Sequence, residues 1–248
     1  NHTFKNSEYS TFTIYEPKER IIFRLPYYPD RILHHAIMNI LEPIWVSVFT
    51  KDTYSCIKGR GIHGAMRNVK RAIKDRENAR YCLKIDIRKF YPSIDHDVLK
   101  TIIRRKIKCK DTLALLDTII DSTDGVPIGN YLSQYFANLM LAYFDHWIKE
   151  EKRVRNYFRY ADDMVFLAST KEELHILLAD IKKYLAALKL TLKGNEQIFP
   201  IAENRADKHG RGLDFVGFVF YHNQTLMRKS IKQNFCRMAA RLNKKLNI

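Results

Sequence analysis

The chain has 248 residues, 46% hydrophobic and 28% charged, a balance that excludes disorder because so large an apolar fraction offsets the entropy lost on ordering. Lys plus Arg is 43 and Asp plus Glu is 27, a formal net charge of +16. That excess argues for a polyanionic partner, nucleic acid ahead of an anionic membrane, over a merely soluble basic protein.

In chain order, Phe12-Thr13-Ile14-Tyr15 and Ile21-Ile22-Phe23-Arg24-Leu25, separated by Glu16-Pro17-Lys18-Glu19, predict a hairpin. Residues 29–49 follow a helical pattern, with Ile32, Ile37, Ile40, Leu41 and Ile44 near helical spacing. The stretch 51–80 carries nine Lys/Arg against three acids. Tyr81-Cys82-Leu83-Lys84-Ile85-Asp86-Ile87 is then an apolar strand ending in a carboxylate. Helices are expected over 95–106 and 111–121, and Gly125-Val126-Pro127-Ile128-Gly129 feeds a long helix over 130–150. A strand pair follows around 158–166, a helix over 171–188, strands near 190–201 and 213–221, and a final basic helix. Strand, helices, hairpin, helix and strand make an α+β order, not a βαβα alternation.

Cys56, Cys82, Cys109 and Cys236 form no CxxC pair and read as free thiols of a cytoplasmic protein, with Cys82 a small core residue. No apolar run approaches the roughly 18 residues that span a bilayer. Asn1-His2-Thr3-Phe4-Lys5 is too polar for a signal peptide, and the missing initiator Met reads as a start inside a longer gene product. His34, His35, His96 and His146 lack metal-ligand spacing and are read as structural.

Asp162 and Asp163 sit midway through an apolar hairpin, where adjacent acids repel and weaken strand propensity. A turn would explain the pair alone. Asp86, however, also ends an apolar strand, so three carboxylates can converge at neighbouring strand tips. Hard oxygen ligands in a cluster are what Mg²⁺ requires, leaving positions for substrate phosphates. Two such ions can stabilise both the attacking and the leaving oxygen of an in-line displacement at phosphorus.

Tyr160-Ala161-Asp162-Asp163 resembles the YxDD box of reverse transcriptases. Leu83 to Tyr91 is similar to their first catalytic motif, with Asp86 five positions before an aromatic residue. Gly129-Asn130-Tyr131-Leu132-Ser133-Gln134 resembles the GxxxS motif beside the nucleotide, and Leu213-Asp214-Phe215-Val216-Gly217-Phe218 the primer-grip segment. These motifs keep the family's order over residues 80–220. The resemblance implies a right-hand polymerase: fingers over 1–80, palm over 81–222 with fingers helices inserted at about 95–125, and the start of a truncated or short thumb over 223–248.

The same resemblance implies roles. Asp86, Asp162 and Asp163 would be catalytic and would bind two Mg²⁺ ions, or Mn²⁺ in their place, with the Ile87 carbonyl as a backbone ligand. Tyr91 falls at the aromatic steric gate that excludes a 2′-hydroxyl; its bland alternative is a core aromatic, which Phe90 is taken to be. Lys18 and Arg20 resemble the fingers cations that hold the triphosphate, or are solvated hairpin charges. Ile128, Gly129, Ser133 and Gln134 would line the nucleotide. Lys193 would too, although it stands off the family's usual spacing for a pyrophosphate-protonating lysine.

Lys58, Arg60 and Arg67, with His63, Lys70 and Arg71, resemble the fingers segment that contacts template; the alternative is a solvated helix face. Phe215 and Gly217 would grip primer. From Met227 the chain holds seven Lys/Arg and no acid, with Ile231, Phe235, Met238, Leu242 and Leu246 at helical spacing. Such a helix suits membranes or calmodulin-like partners, but beside polymerase motifs it reads as a thumb whose Lys229 and Lys232 touch primer–template phosphates.

Ile128 before the motif glycine and Gln134 after the serine resemble the diversity-generating retroelement enzymes more than group II intron enzymes. That implies a bacterial or phage-encoded, RNA-directed DNA polymerase that takes RNA template, primer and dNTPs, errs at adenines, and works with a small basic accessory protein and no membrane. An antiphage, abortive-infection-like enzyme, a group II intron-like enzyme and a non-catalytic nucleic-acid-binding module remain the alternatives.

Overall fold

The computed structural model describes residues 4–15 and 19–246, so Lys18 lies outside the described residues. The predicted hairpin forms from β1 (Ser10–Ile14) and β2 (Arg20–Arg24). Helices α1 (Ile32–Val46) and α2 (Gly61–Ala72) precede strand β3 (Tyr81–Asp86). Then come α3 (His96–Arg104), α4 (Lys110–Ile120), α5 (Tyr131–Met140) and short α6 (Ala142–His146). Strands β4 (Asn156–Tyr160) and β5 (Asp163–Ala168) lead to α7 (Lys171–Ala187) and β6 (Gln197–Pro200). Small strands β7 (Leu213–Phe215), β8 (Phe218–Phe220) and β9 (Thr225–Met227) precede α8 (Lys229–Leu246). Local chemistry starts the helices where the sequence says: Asp95 accepts the Val98 N–H at 3.0 Å ahead of α3, and Thr170 the Glu173 N–H at 3.3 Å ahead of α7.

The central sheet runs β4-β5-β3-β6 with every neighbour antiparallel. Its period of two sorts the side chains. Leu83, Ile85, Tyr157, Met164 and Phe166 join a core with residues of α1, α3, α5 and α7. Cys82, Phe158, Val165 and Leu167 join a second core with residues of α2, β7 and β8. By the same parity Lys84, Asp86 and Asp163 share the second face. Helix α5 runs through the first core, with eight of its ten residues buried.

Four expectations change. The helix expected over 130–150 breaks at Leu141 (φ −106°, ψ 1°), and beyond the break Asp145 is buried and paired. The strand expected near 190–201 pairs continuously over Gln197–Pro200, with Leu192 making an isolated bridge to Ile87. The strand expected over 213–221 is a hairpin, because Val216 (φ 45°) and Gly217 (φ 87°) both turn left-handed and reverse the chain. In α1 the buried stripe runs through His34, Ile37, Met38, Leu41 and Trp45, while Ile40, off that stripe, is 70% exposed. All four cysteines are free, and Cys82 is buried as expected. No helix among the described residues is long and apolar enough to cross a membrane.

Candidate active site

The strand pairing that joins Tyr160 to Asp163 leaves Ala161 and Asp162 as a two-residue turn. Ala161 has φ 55°, a conformation that costs a residue with a Cβ roughly 1–2 kcal/mol. A buried network offsets this. The Arg159 guanidinium, wholly buried, donates to the Ala161 carbonyl at 3.1 Å and to Asn138 Oδ1 at 3.2 Å. It also grips the Asp145 carboxylate at 2.6 Å and 2.8 Å, and Asp145 in turn accepts from the Tyr157 hydroxyl at 2.6 Å and the Thr53 hydroxyl at 2.8 Å. Burial opposes the Arg159 charge, but the Asp145 carboxylate more than compensates and keeps the guanidinium protonated.

Register sets Asp86 opposite Asp163 on adjacent strands. Burial, and then the Asp86 carboxylate beside it, push Asp162 up to about 6. Burial also pushes Asp163 up to about 6, against the pull of Lys84 Nζ at 3.4 Å. Lys84 in addition donates to the Asp214 carbonyl at 2.6 Å, tying this face to the β7–β8 hairpin. Lys193 Nζ stands 3.3 Å from Asp86 Oδ2, so a lysine off the family's spacing still reaches the cluster.

Ile87 pairs with Leu192 through its neighbours, the Lys193 N–H donating to the Asp86 carbonyl and the Arg88 N–H to the Thr191 carbonyl. In that pattern the Ile87 carbonyl itself points away from Leu192, towards the β5 side where the turn stands. Among the described residues no three His, Cys, Asp or Glu side chains form a ready-made ion cage. Lys84 and Lys193 bind two of the three carboxylates instead. The donor set nonetheless fits a hard divalent cation: charge-crowded carboxylates, a backbone carbonyl, and the Asp163 Oδ1 oxygen, buried without a hydrogen-bond partner.

Phe90 is core, as expected. The Tyr91 hydroxyl is pushed up to about 12 by burial first, and it lies within electrostatic reach of Asp162 and Arg20. Arg20, exposed at the start of β2, thus stands on the Tyr91 side of the hairpin. Gly129 (φ 122°) allows the hairpin this approach: a Cβ there would stand 2.3 Å from the Phe23 carbonyl oxygen. The adjoining Phe23 N–H donates to the half-buried Ile128 carbonyl at 2.7 Å. Ser133 is buried and Gln134 exposed on α5.

Other expected contacts separate. Lys58, Arg67, Lys229 and Lys232 are exposed. Arg60 instead donates to the Thr53 carbonyl at 3.1 Å and to that of Thr50, which gives it the task of holding its own loop. Phe215 is 0% exposed, so its ring serves the core and cannot touch primer; the alternation of β7 turns it inward. Gly217 sits at the half-buried hairpin turn beside Ile231. The four histidines are structural: His35 stacks on Tyr131 at 4.5 Å, His96 and His146 bond the carbonyls of Gly125 and Val48 at 2.8 Å, and His34 is buried.

The family model for reverse transcriptase (RNA-dependent DNA polymerase) matches residues 16–195, more than half of the chain. The chain belongs to the reverse transcriptase family. It is 24% identical over 266 residues to protein YkfC of Escherichia coli, covering 88% of this chain and 67% of that one. It is 27% identical over 139 residues to the group II intron-encoded protein LtrA of Lactococcus lactis, covering 52% of this chain and 23% of that one. Retron Ec73 reverse transcriptase of Escherichia coli is 25% identical over 214 residues, with 76% and 59% covered.

Apo telomerase of Candida tropicalis, truncated from its C-terminal domain, superposes with a TM-score of 0.66 at 12% identity, over 89% of this chain and 55% of that one. The fold is thus that of an α+β polymerase, and this chain spans only part of several relatives.

Reverse transcriptases generally use divalent metal ions. Beyond the expected site residues, Arg159, Asp145, Lys84 and Arg228 tie the two hairpins in place, and of these only Lys84 lies within a quoted motif. An arginine inside the apolar run Tyr157-Phe158-Arg159-Tyr160 was the available signal for the first.

Proposed function

We propose that the chain is the polymerase core of an RNA-directed DNA polymerase, with fingers over 1–80, palm over 81–222 and the first thumb helix over 223–248. The observation that carries the reading is the convergence of Asp86, Asp162 and Asp163 on a turn that the buried Arg159–Asp145 network keeps in place. Asp86, Asp162 and the Ile87 carbonyl would hold Mg²⁺, and Asp163 would add its charge. When bound, two such ions activate the primer 3′-hydroxyl and neutralise the phosphates. Tyr91 lies under the sugar and excludes the 2′-hydroxyl. Arg20 reaches the triphosphate from the hairpin, and Lys193 stands beside Asp86 to donate a proton to pyrophosphate. RNA template and primer lie along the cationic surfaces of Lys58, Arg67, Lys229 and Lys232.

Primer extension on poly(rA)/oligo(dT) with Mg²⁺ tests the reading. Asp86→Asn and Asp162→Asn should each abolish extension while RNA affinity stays near that of the parent. Near-parental rates in either would remove the assignment.

Within the family, Ile128 supports the diversity-generating type. An isoleucine beside the nascent pair offers shape but no hydrogen bond, and one lost polar contact removes on the order of 1–3 kcal/mol of discrimination. Sequencing of cDNA from an RNA holding all four bases, with any basic accessory protein supplied, should show errors concentrated at adenines that Ile128→Gln reduces. Uniform accuracy would leave the second reading, an intron- or retron-type enzyme, which the likeness to LtrA and to retron Ec73 reverse transcriptase supports.

A further inference from the structure

The central sheet has a second functional-looking end. Strand β3 carries Asp86 at its C-terminus and Tyr81 at its start, about 17 Å away at roughly 3.3 Å per residue. There the ends of β5 and β6 pair with Tyr81, through Ala168 and Pro200, and α7 begins at Lys171. Between them opens a cavity of about 500 Å³, far from the carboxylates.

Its charges are unevenly satisfied. The two acids in its wall are occupied. Glu203 pairs with Arg76 at 2.8 Å, and Asp207 accepts the backbone N–H groups of Glu203 at 2.9 Å and His209 at 2.8 Å. Arg80 and Lys171, by contrast, have no carboxylate within ion-pair distance among the described residues. Both lie against the Tyr81 ring, at 5.5 Å and 5.6 Å from its centre. Two cations gathered on one ring repel each other, and the ring's quadrupole offsets only part of that cost. His222 is fixed with Nδ1–H on the Ile73 carbonyl at 2.7 Å, which leaves Nε2 as its other polar atom. Two cations without carboxylate partners, gathered in an open cavity, match what a phosphodiester strand needs: point charges for its phosphates.

We propose that this cavity is a second RNA site, which takes the sugar–phosphate backbone of a strand outside the template cleft through Arg80 and Lys171, with the Tyr81 ring holding the two cations in place. The proposal rests on the polymerase reading only for the kind of polyanion involved.

The test compares the full chain with the double variant Arg80→Gln/Lys171→Gln. Both positions are exposed, so the fold should survive, as thermal melting would verify. Binding of a 40-nucleotide single-stranded RNA, followed across a salt series, should weaken. Its log–log salt slope should flatten by about 1.4, or about 0.7 per lost phosphate contact. Extension of a short oligo(dT) on poly(rA) should stay within twofold. An unchanged slope overturns the proposal, whatever the extension assay shows. Inorganic phosphate is the second probe: saturable competition by phosphate alone, with long-RNA binding unaffected by the double variant, would mark a small-anion site and also overturn it. Loss of extension on the short duplex in the parent chain would instead count against the polymerase reading, so the two failures are distinguishable.

Discussion

Two tight hairpins meet at the candidate active site, and they are held in opposite ways. The β4–β5 turn, with Ala161 at φ 55°, is fastened from behind by Arg159 and Asp145, both 0% exposed. The β7–β8 turn, with Val216 at φ 45°, is fastened at the surface, where the Arg228 guanidinium grips Asp214 and the Arg228 N–H donates to the Gly217 carbonyl at 3.0 Å. Those two side chains are 39% and 47% exposed. Each turn carries a left-handed residue with a side chain, which must be over-determined by its surroundings. A buried ion network fixes one geometry, whereas an exposed pair in high dielectric leaves its hairpin adjustable. The first arrangement fixes the spacing of the carboxylates, and the second leaves its hairpin free to adjust. Lys84 bridges the two.

The comparison breaks first at Asp145. Asp145→Asn leaves the Arg159 charge buried without its partner and should cost about 3–5 kcal/mol, read from denaturant unfolding. A loss below 1 kcal/mol would mean that the network does not hold the turn. Next, Lys84→Met removes both the Asp163 counter-charge and the donor to Asp214. By analogy with residues that orient metal-binding side chains, extension should fall roughly 10- to 100-fold, with more Mg²⁺ needed for half-maximal rate. An unchanged Mg²⁺ dependence would reduce Lys84 to a packing role.

A smaller effect sharpens the electrostatics. Asp162 and Asp163 titrate near 6 in the folded chain against about 4 when unfolded. The folded state therefore binds more protons in that window, and stability falls as pH rises from about 4 to 6. In EDTA, Asp162→Asn should accordingly raise Tm at pH 7.5, by about 2–4 °C for each kcal/mol of repulsion relieved, and the gain should shrink towards pH 5. Equal shifts at both pH values would refute the crowding. Last and least, Arg228→Gln breaks only an exposed pair and should cost no more than about 1 kcal/mol. A cost near that of Asp145→Asn would erase the contrast between the hairpins.

The sequence by itself determined most of the element types, the α+β order and the three carboxylates. Alternating apolar residues encode a strand's two faces locally, and acids inside an apolar run are conspicuous wherever they end up. It allowed Asp86 and Asp163 to converge at neighbouring strand tips, but which residue stands opposite which came from strand register, a property of two segments far apart in the chain. The same holds for Phe215, which looked like a primer contact until β7 turned it into the core. Arg60 likewise looked like a template contact and proved to hold its own loop. Lys193 reached Asp86 despite its spacing, because the bridge between Ile87 and Leu192 sets the distance in space. Only the tertiary structure decided which cations serve carboxylates, carbonyls or solvent, since a long flexible side chain has no partner until the fold supplies one.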